Sequence, residues 1–522
     1  MEATGEPKTI AMIRIASCGQ NTAHIDARKS GLLQVPFEPL NGRRPERVLM
    51  KHSDNRSVAT LFGIVRAWFV RNVLAVVFVA VLTAGYSTLA IRLHLRVQTA
   101  GYDLGIFEQA IRYYALLQPP IVDLKGAGFN LLGDHFHPVL VTLAPFYAVF
   151  PTPITLLVAQ AFLFALAAAP LVNWARRTLG VPAAVVVGAL YGLSFGIASA
   201  VGFDFHEIAF AVPLLAFSLS ALGQGRLGVA AAWAFPLILV KEDLGLAAVA
   251  VIGVLIAWRG AHRLGIITAI VGVAATLLEV TVLLPLVNST GSYAYWNRLS
   301  SGTSVLQVAV TSLDVKALTV ILTLGITAFA ALYSPLVLVA VPTLVWRFAS
   351  NNQNYWATDF QYSAVLMPIV MAAMIDTLAR WRSRETKRGK WGIRLALVVG
   401  SAVTLASIPT HPFSKLFGPQ LWQSNSQIAA ISAALAKIPD GATVSASDNI
   451  VPQLTSRTTV TLFGLARLDS VRPEWILVDP NSTRHYRVSP EQEKRDLINA
   501  EADGYSVAMS RDSIILLHDS RR

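Results

Sequence analysis

The sequence predicts an α-helical polytopic membrane protein with about eleven spanning helices, one juxtamembrane or re-entrant segment and a small C-terminal extracytoplasmic α/β domain. Three observations lead there. The 522 residues are 54% hydrophobic and only 14% charged, where a soluble domain usually carries about 25% charged residues. Apolar runs of roughly 15 to 24 residues recur along the chain, enough to cross or nearly cross about 30 Å of hydrocarbon at about 1.5 Å per residue. The Lys and Arg residues that give the net charge of +12 lie mostly in an N-terminal arm and in short loops between apolar runs. That placement fits the positive-inside rule of a plasma membrane of bacterial type better than it fits nucleic-acid binding. The single cysteine, Cys18, excludes an internal disulfide framework and a cysteine-based zinc cage.

Residues 1–65 read as a disordered, basic, cytoplasmic arm without a signal-peptide h-region and cleavage site, with Met50 as an alternative start. The transmembrane domain occupies 66–409. Its first span runs from about Arg71 to Ile91, with Arg66 and Arg71 on the inner flank, and it delivers the chain to an external loop over 94–137. The remaining spans are expected at 154–174, 181–201, 208–222, 227–240, 244–258, 264–287, 317–333, 335–348, 362–378 and 393–408.

The segment from Pro138 to Phe150 is apolar but short and bracketed by prolines. A full crossing there would put Arg176, Arg177, Arg259, Arg263 and the run from Arg380 to Lys390 outside. A juxtamembrane or re-entrant helix keeps all of them inside, as the charge rule prefers. With that parity, every unusual polar cluster and the C-terminal domain, 410–522, fall on the extracytoplasmic face. In that domain Trp422 to Ile438 reads as an amphipathic helix. Residues 443–446, 458–463 and 475–479 read as strands, Ser489-Pro490 as a capped helix start, and 505–509 with 513–517 as a hairpin around Arg511 and Asp512.

Five clusters carry the candidate chemistry. From Asp103 to Gln118 apolar residues recur at helical spacing, which places Asp103 at a helix N-terminus, either as an N-cap or as a carboxylate base at the bilayer edge. Asp134, His135 and His137 precede Pro138; in the extended geometry that proline favours, the two imidazoles point the same way, and they read either as a pair suited to a divalent metal or a phosphate or as an interfacial polar collar with His137 capping the following helix. Asp204-Phe205-His206-Glu207 and Lys241-Glu242-Asp243 join spans with almost no loop, and ionisable groups at that depth are costly unless paired or used. Lys241 and Glu242 therefore read either as a Lys–carboxylate structural pair or as a phosphate-binding group. Residues 351–361, leading into Gln361 and Tyr362, are polar and aromatic, like an interfacial belt. No Walker A, dinucleotide fingerprint, nucleophile elbow or HExxH motif occurs, which argues against cytosolic nucleotide-driven chemistry.

Tyr102-Asp103-Leu104-Gly105, Gly133-Asp134-His135, Asp204 to Glu207, Lys241 to Asp243 and Gln361 to Ala364, in that order, resemble the hallmark positions of the uncharacterised bacterial membrane family numbered two thousand and seventy-nine among the domains of unknown function. The similarity runs from about Val73 to Leu517 and includes Ile438-Pro439 to Ala446 and Pro452 to Arg457; Gln361 departs from it, standing where histidine is expected. That family in turn distantly resembles the GT-C class of glycosyltransferases, which take sugars from polyprenyl phosphates. The resemblance implies a GT-C-like fold and a multi-pass protein that transfers a sugar from a polyprenyl-phosphate donor to an envelope glycan, lipid or protein acceptor. It implies membrane lipids as partners and no nucleic acid. Asp103, Asp134 and Glu207 are the catalytic candidates, and Lys241, Glu242, Gln361 and Tyr362 the substrate- and phosphate-binding ones. His135, His137 and His206 are candidate ligands of a divalent metal, Mg or Mn. The alternatives are a transporter or flippase of a lipid-linked or polar solute and a non-enzymatic scaffold of envelope assembly.

Overall fold

The computed structural model describes residues 54–293, 295, 305–465, 472–482 and 487–521. Most of the expected arm lies outside the described residues, as does part of the loop between Asn288 and Lys316. The chain from Ile64 to Arg522 forms one compact unit.

Among the described residues five helices are long and apolar enough to cross a membrane: Arg71–Leu95, Pro153–Leu179, His262–Val287, Gln361–Ser383 and Lys387–Thr410. A sixth is split, Val181–Gly192 and Phe195–Val201 meeting at 45°. The other expected spans form shorter apolar helices, Glu207–Gly223, Leu227–Leu239, Gly245–Trp258 and Pro335–Ala349, or break up. The expected span over 317–333 becomes a helix ending at Gly325 and a short 3-10 turn at Ala330–Tyr333, parted by left-handed backbone at Ala328 and Phe329. Pro138–Val149 is one of the short apolar helices, so it is not long enough for a full crossing. Gln361–Ser383 is almost wholly enclosed by the others and forms the axis of the bundle.

Close approach between Gly245–Trp258 and His262–Val287 rests on small residues. A Cβ on Gly253 would stand 2.7 Å from the Gly265 carbonyl oxygen, and one on Gly245 would stand 2.5 Å from that of Gly272. Without a hydrophobic driving force between helices in lipid, such backbone-to-backbone packing supplies much of the association.

At one end of the bundle the helix C-termini carry arginines that donate to backbone carbonyls of neighbouring elements. Arg382 reaches Leu179 O at 2.5 Å, Arg259 reaches Leu222 O at 2.5 Å and Arg176 reaches Arg71 O at 2.6 Å. Cations in the last turn of a helix oppose the negative end of its dipole. The opposite ends of the same long helices, at Leu95, Val287 and Gln361, lead into the polar clusters.

The C-terminal region contributes a five-stranded sheet of β1 (Thr443–Ala446), β2 (Thr459–Leu462), β3 (Trp475–Val478), β4 (Tyr505–Arg511) and β5 (Ile514–Asp519), in the order β2-β1-β3-β5-β4. β1 is parallel to β2 and β3, and β5 is antiparallel to β3 and β4. The hairpin turns at Asp512 and Ser513, both at positive φ, one residue beyond the expected turn. Helices Ser426–Leu435 and Pro490–Ala502 flank the sheet, the second capped by Ser489 with Pro490 in its first turn. The sheet packs directly on the first polar loop: Gly101 N donates to Asp448 O at 2.7 Å, and a Cβ on Gly101 would lie 2.6 Å from the Val451 side chain.

Candidate functional site

The polar clusters meet in one cavity of about 830 Å³. Nine of the ten residues singled out from the sequence line it: Asp103, Asp134, His135, His137, His206, Glu207, Lys241, Gln361 and Tyr362. Glu242 does not reach it. It is buried behind His135, accepting from His135 Nδ1 at 2.7 Å, Tyr293 Oη at 3.0 Å and Phe136 N at 3.2 Å. Its place is therefore a backing carboxylate rather than a phosphate ligand.

Asp103 lies in a π-helical turn, Gly101–Gly105, that leads into the helix Ile106–Ala115. Its side chain makes no capping bond. Instead Oδ1 accepts from Nε2 of the buried His206 at 3.2 Å, and the carboxylate remains 29% exposed to the cavity. His206 in turn is fixed by its backbone, since its N–H donates to Gln160 Oε1 at 2.9 Å. Gln160 Nε2 donates to Asp204 O at 2.5 Å, and Asp204 Oδ2 accepts from Ala100 N at 2.9 Å. Asp204 holds φ at +104°, a conformation that costs a non-glycine residue about 1–3 kcal/mol. The strained residue thus ties the turn bearing His206 to the turn bearing Asp103.

The two lysines of the cavity sit in ion pairs, and Arg487 donates to Tyr102 Oη at 3.1 Å. Lys241 Nζ is 2.8 Å from Glu207 Oε1 and Lys125 Nζ is 2.5 Å from Asp134 Oδ2. Burial works against the charge on Asp134, but His135, Lys125 and His137 overcome it and hold its carboxyl at about 2. Burial pushes His137 down to about 4, so it is neutral at pH 7. It precedes the helix Pro138–Leu143 without capping it.

The three histidines do not share a ligand set. His135 is committed to Glu242 and stacks on Tyr295 at 4.6 Å, His206 is committed to Asp103, and His137 lies edge-on to Phe107. Among the described residues no group of three or more His, Cys, Asp or Glu side chains is placed to hold a metal ion.

The opposite wall is aromatic and amide-rich, with Tyr355, Phe360, Tyr362, Asn352, Asn354 and Gln361. The fully buried Arg347 shapes it by donating to the carbonyls of Tyr355 at 2.7 Å, Ala357 at 3.0 Å and Tyr362 at 3.3 Å.

Several contributors were not singled out from the sequence. Lys125, Asn288, Tyr295 and Asp448 all line the cavity but lie in long polar segments where one polar residue does not stand out. Gln160 did leave a signal, as an amide within an otherwise apolar run.

Architecture and site together define a polytopic helical membrane protein of GT-C-like fold with a small C-terminal sheet. The crystal structure of ArnT from Cupriavidus metallidurans in the apo state is similar to it, with a TM-score of 0.53 and 14% sequence identity, over 85% of this chain and 97% of that one. No curated protein matches the chain. Over residues 93–516 the sequence matches the family described as "Predicted membrane protein (DUF2079)", and the chain belongs to that family.

Proposed function

We propose that the protein is a membrane glycosyltransferase that moves a sugar from a polyprenyl-phosphate donor to an envelope glycan, lipid or protein acceptor on the extracytoplasmic face of the plasma membrane. The observation that carries the reading is the convergence of five dispersed clusters on one cavity that pairs an accessible carboxylate, Asp103, with a lysine, Lys241. Its place at the end of the bundle away from the arginine-capped helix ends supports the outward orientation, because basic residues favour the cytoplasmic side.

In this reading the acceptor hydroxyl oxygen attacks the anomeric carbon while Asp103 takes its proton. The bond from that carbon to the phosphate oxygen breaks, and its electron pair leaves with the polyprenyl phosphate. His206 Nε2–H orients Asp103. Lys241 spends one N–H on Glu207 and has two more with which to meet the developing phosphate charge. Lys125 acts in the same way from its pair with Asp134. Glu207 and Asp134 serve as counter-charges that keep the two ammonium groups in place when no donor is bound. The wall of Tyr355, Tyr362 and Gln361 offers ring faces and an amide to the sugar.

The test is transfer of labelled sugar in proteoliposomes supplied with a panel of polyprenyl-phosphate sugars. Asp103→Asn is expected to abolish transfer with unchanged thermal unfolding. Unchanged transfer removes Asp103 as base, and no transfer by the native protein from any donor favours solute transport or a scaffold.

A further inference from the structure

A second cavity, of about 900 Å³, lies toward the arginine-bearing end of the bundle, among the helices Arg71–Leu95, Pro153–Leu179, Glu207–Gly223 and Leu227–Leu239. Its walls are mostly apolar, and Phe217 stacks on Trp233 at 4.6 Å to form one of them. Ala80, Phe162 and Trp233 line it and are also exposed, so it is a groove open to the lipid around the bundle rather than a closed void. Along the first helix it runs from Asn72 to Ala84, about 18 Å at about 1.5 Å per residue. One leaflet of a bilayer with about 30 Å of hydrocarbon is about 15 Å deep. The groove thus has the length of the acyl chains of a single leaflet.

Its mouth is basic. Arg177 and Arg226 line it, both exposed, and no Asp or Glu does. Arg177 spends one N–H on Gln224 Oε1 at 3.1 Å, and Gln224 is itself held by donating to Ser220 O at 2.7 Å, which leaves the guanidinium four further donors. The Arg226 side chain makes no hydrogen bond or ion pair among the described residues. It stands just before the helix Leu227–Leu239, at the positive end of that helix's dipole, where a cation is disfavoured and an anion favoured. A phosphate at this mouth satisfies both arginines and the dipole, because guanidinium forks match phosphate oxygens. Apolar walls of leaflet length below a doubly cationic mouth suit acyl chains below an anionic headgroup.

We infer that this groove is a binding site for an anionic diacyl phospholipid of the leaflet at that end, with its phosphate on Arg177 and Arg226 and acyl chain along the groove. The proposed orientation makes this the inner leaflet, where basic pockets between helices meet anionic headgroups. The lipid site itself is independent of the sugar-transfer reading, and its test reads binding. The full-length protein in detergent is equilibrated with phosphatidylglycerol, with phosphatidylcholine of the same acyl chains and with polyprenyl phosphate, and retained lipid is measured by native mass spectrometry. Phosphatidylglycerol is expected to be held about 25-fold more tightly than phosphatidylcholine, each arginine contributing about fivefold. Arg177→Gln and Arg226→Gln are each expected to weaken it by about fivefold. Arg384→Gln, at an exposed arginine that follows Gln361–Ser383 and does not line the groove, is expected to change nothing. Ala80→Trp, which fills the groove, is expected to abolish phosphatidylglycerol retention with unchanged thermal unfolding. A polyprenyl chain, longer than one leaflet, is expected not to displace it. Equal retention of the two phospholipids, the same loss in Arg384→Gln as in the groove variants, full retention in Ala80→Trp, or displacement by polyprenyl phosphate would overturn the inference.

Discussion

The pair of Lys241 and Glu207 separates a structural role from a chemical one. Its oxygen and nitrogen are 2.8 Å apart, with Glu207 5% and Lys241 22% exposed. Replacing Lys241 by Met strands a buried carboxylate, and breaking a buried pair from one side typically costs about 3–5 kcal/mol. The partial opening of Lys241 to the cavity lets water recover some of that, so about 3 kcal/mol is expected. Replacing both partners, Lys241→Met with Glu207→Leu, removes the stranded charge and is expected to restore most of the lost stability, because apolar groups of similar volume often replace such pairs without penalty. The coupling measured by a double-mutant cycle on thermal unfolding should therefore reach about 2–3 kcal/mol. Transfer activity should behave differently. The single lysine variant and the double variant both lack the cation aimed at the departing phosphate, and each should lose about a hundredfold or more in rate. A double variant that regained activity along with stability would refute the phosphate role and leave the pair purely structural.

Three further outcomes follow from the geometry. Glu108 is fully buried, accepting from Tyr147 Oη at 2.8 Å and from Thr455 Oγ1, and burial pushes its carboxyl up to about 7. Its folded-state value lies above the ordinary 4.5, so its contribution is fully present below pH 4.5 and is lost as pH rises through 7. Glu108→Gln should remove about 3 kcal/mol of that pH dependence, seen as a flatter unfolding profile between pH 4.5 and 7; an unchanged slope contradicts the assignment. At Asp204, alanine keeps the unfavourable φ and loses the bond to Ala100, whereas glycine loses only the bond. Asp204→Ala should thus be the less stable variant by about 1–3 kcal/mol in thermal unfolding, and equal stability argues against strain at this site. For orientation, Ser510→Cys and Ser383→Cys occupy exposed positions and, in a background without Cys18, can be labelled in whole cells. A membrane-impermeant reagent should label position 510 directly and position 383 only after permeabilisation, and the reverse pattern inverts the topology.

The clusters around Asp103, His135, His206, Lys241 and Gln361 were legible because ionisable and amide groups beside apolar runs are costly and therefore conspicuous. Their meeting in a single cavity was legible only as a shared face. The bonds that join them span from His206 to Asp103 and from Glu242 to His135, distances in sequence that no local pattern encodes. The same holds for Arg347, whose burial and carbonyl partners made no mark in an interfacial stretch. Asp103 was misread in part: helical spacing pointed to a capping residue, but the chain enters the helix through a π turn and frees the carboxylate for His206. Span boundaries blurred for a related reason. Runs of about fifteen apolar residues do not distinguish a short crossing from a buried helix, and the structure supplies several such helices around the central Gln361–Ser383.

The most direct test of the central claim is a cryo-electron microscopy structure of the protein with a bound polyprenyl phosphate. The account predicts phosphate density in the large cavity, within hydrogen-bond reach of Lys241 and facing Asp103, with the prenyl chain leaving toward the bilayer. Phosphate density seated instead at the basic end of the bundle, near Arg177 and Arg226 in the apolar groove that they border, would contradict it.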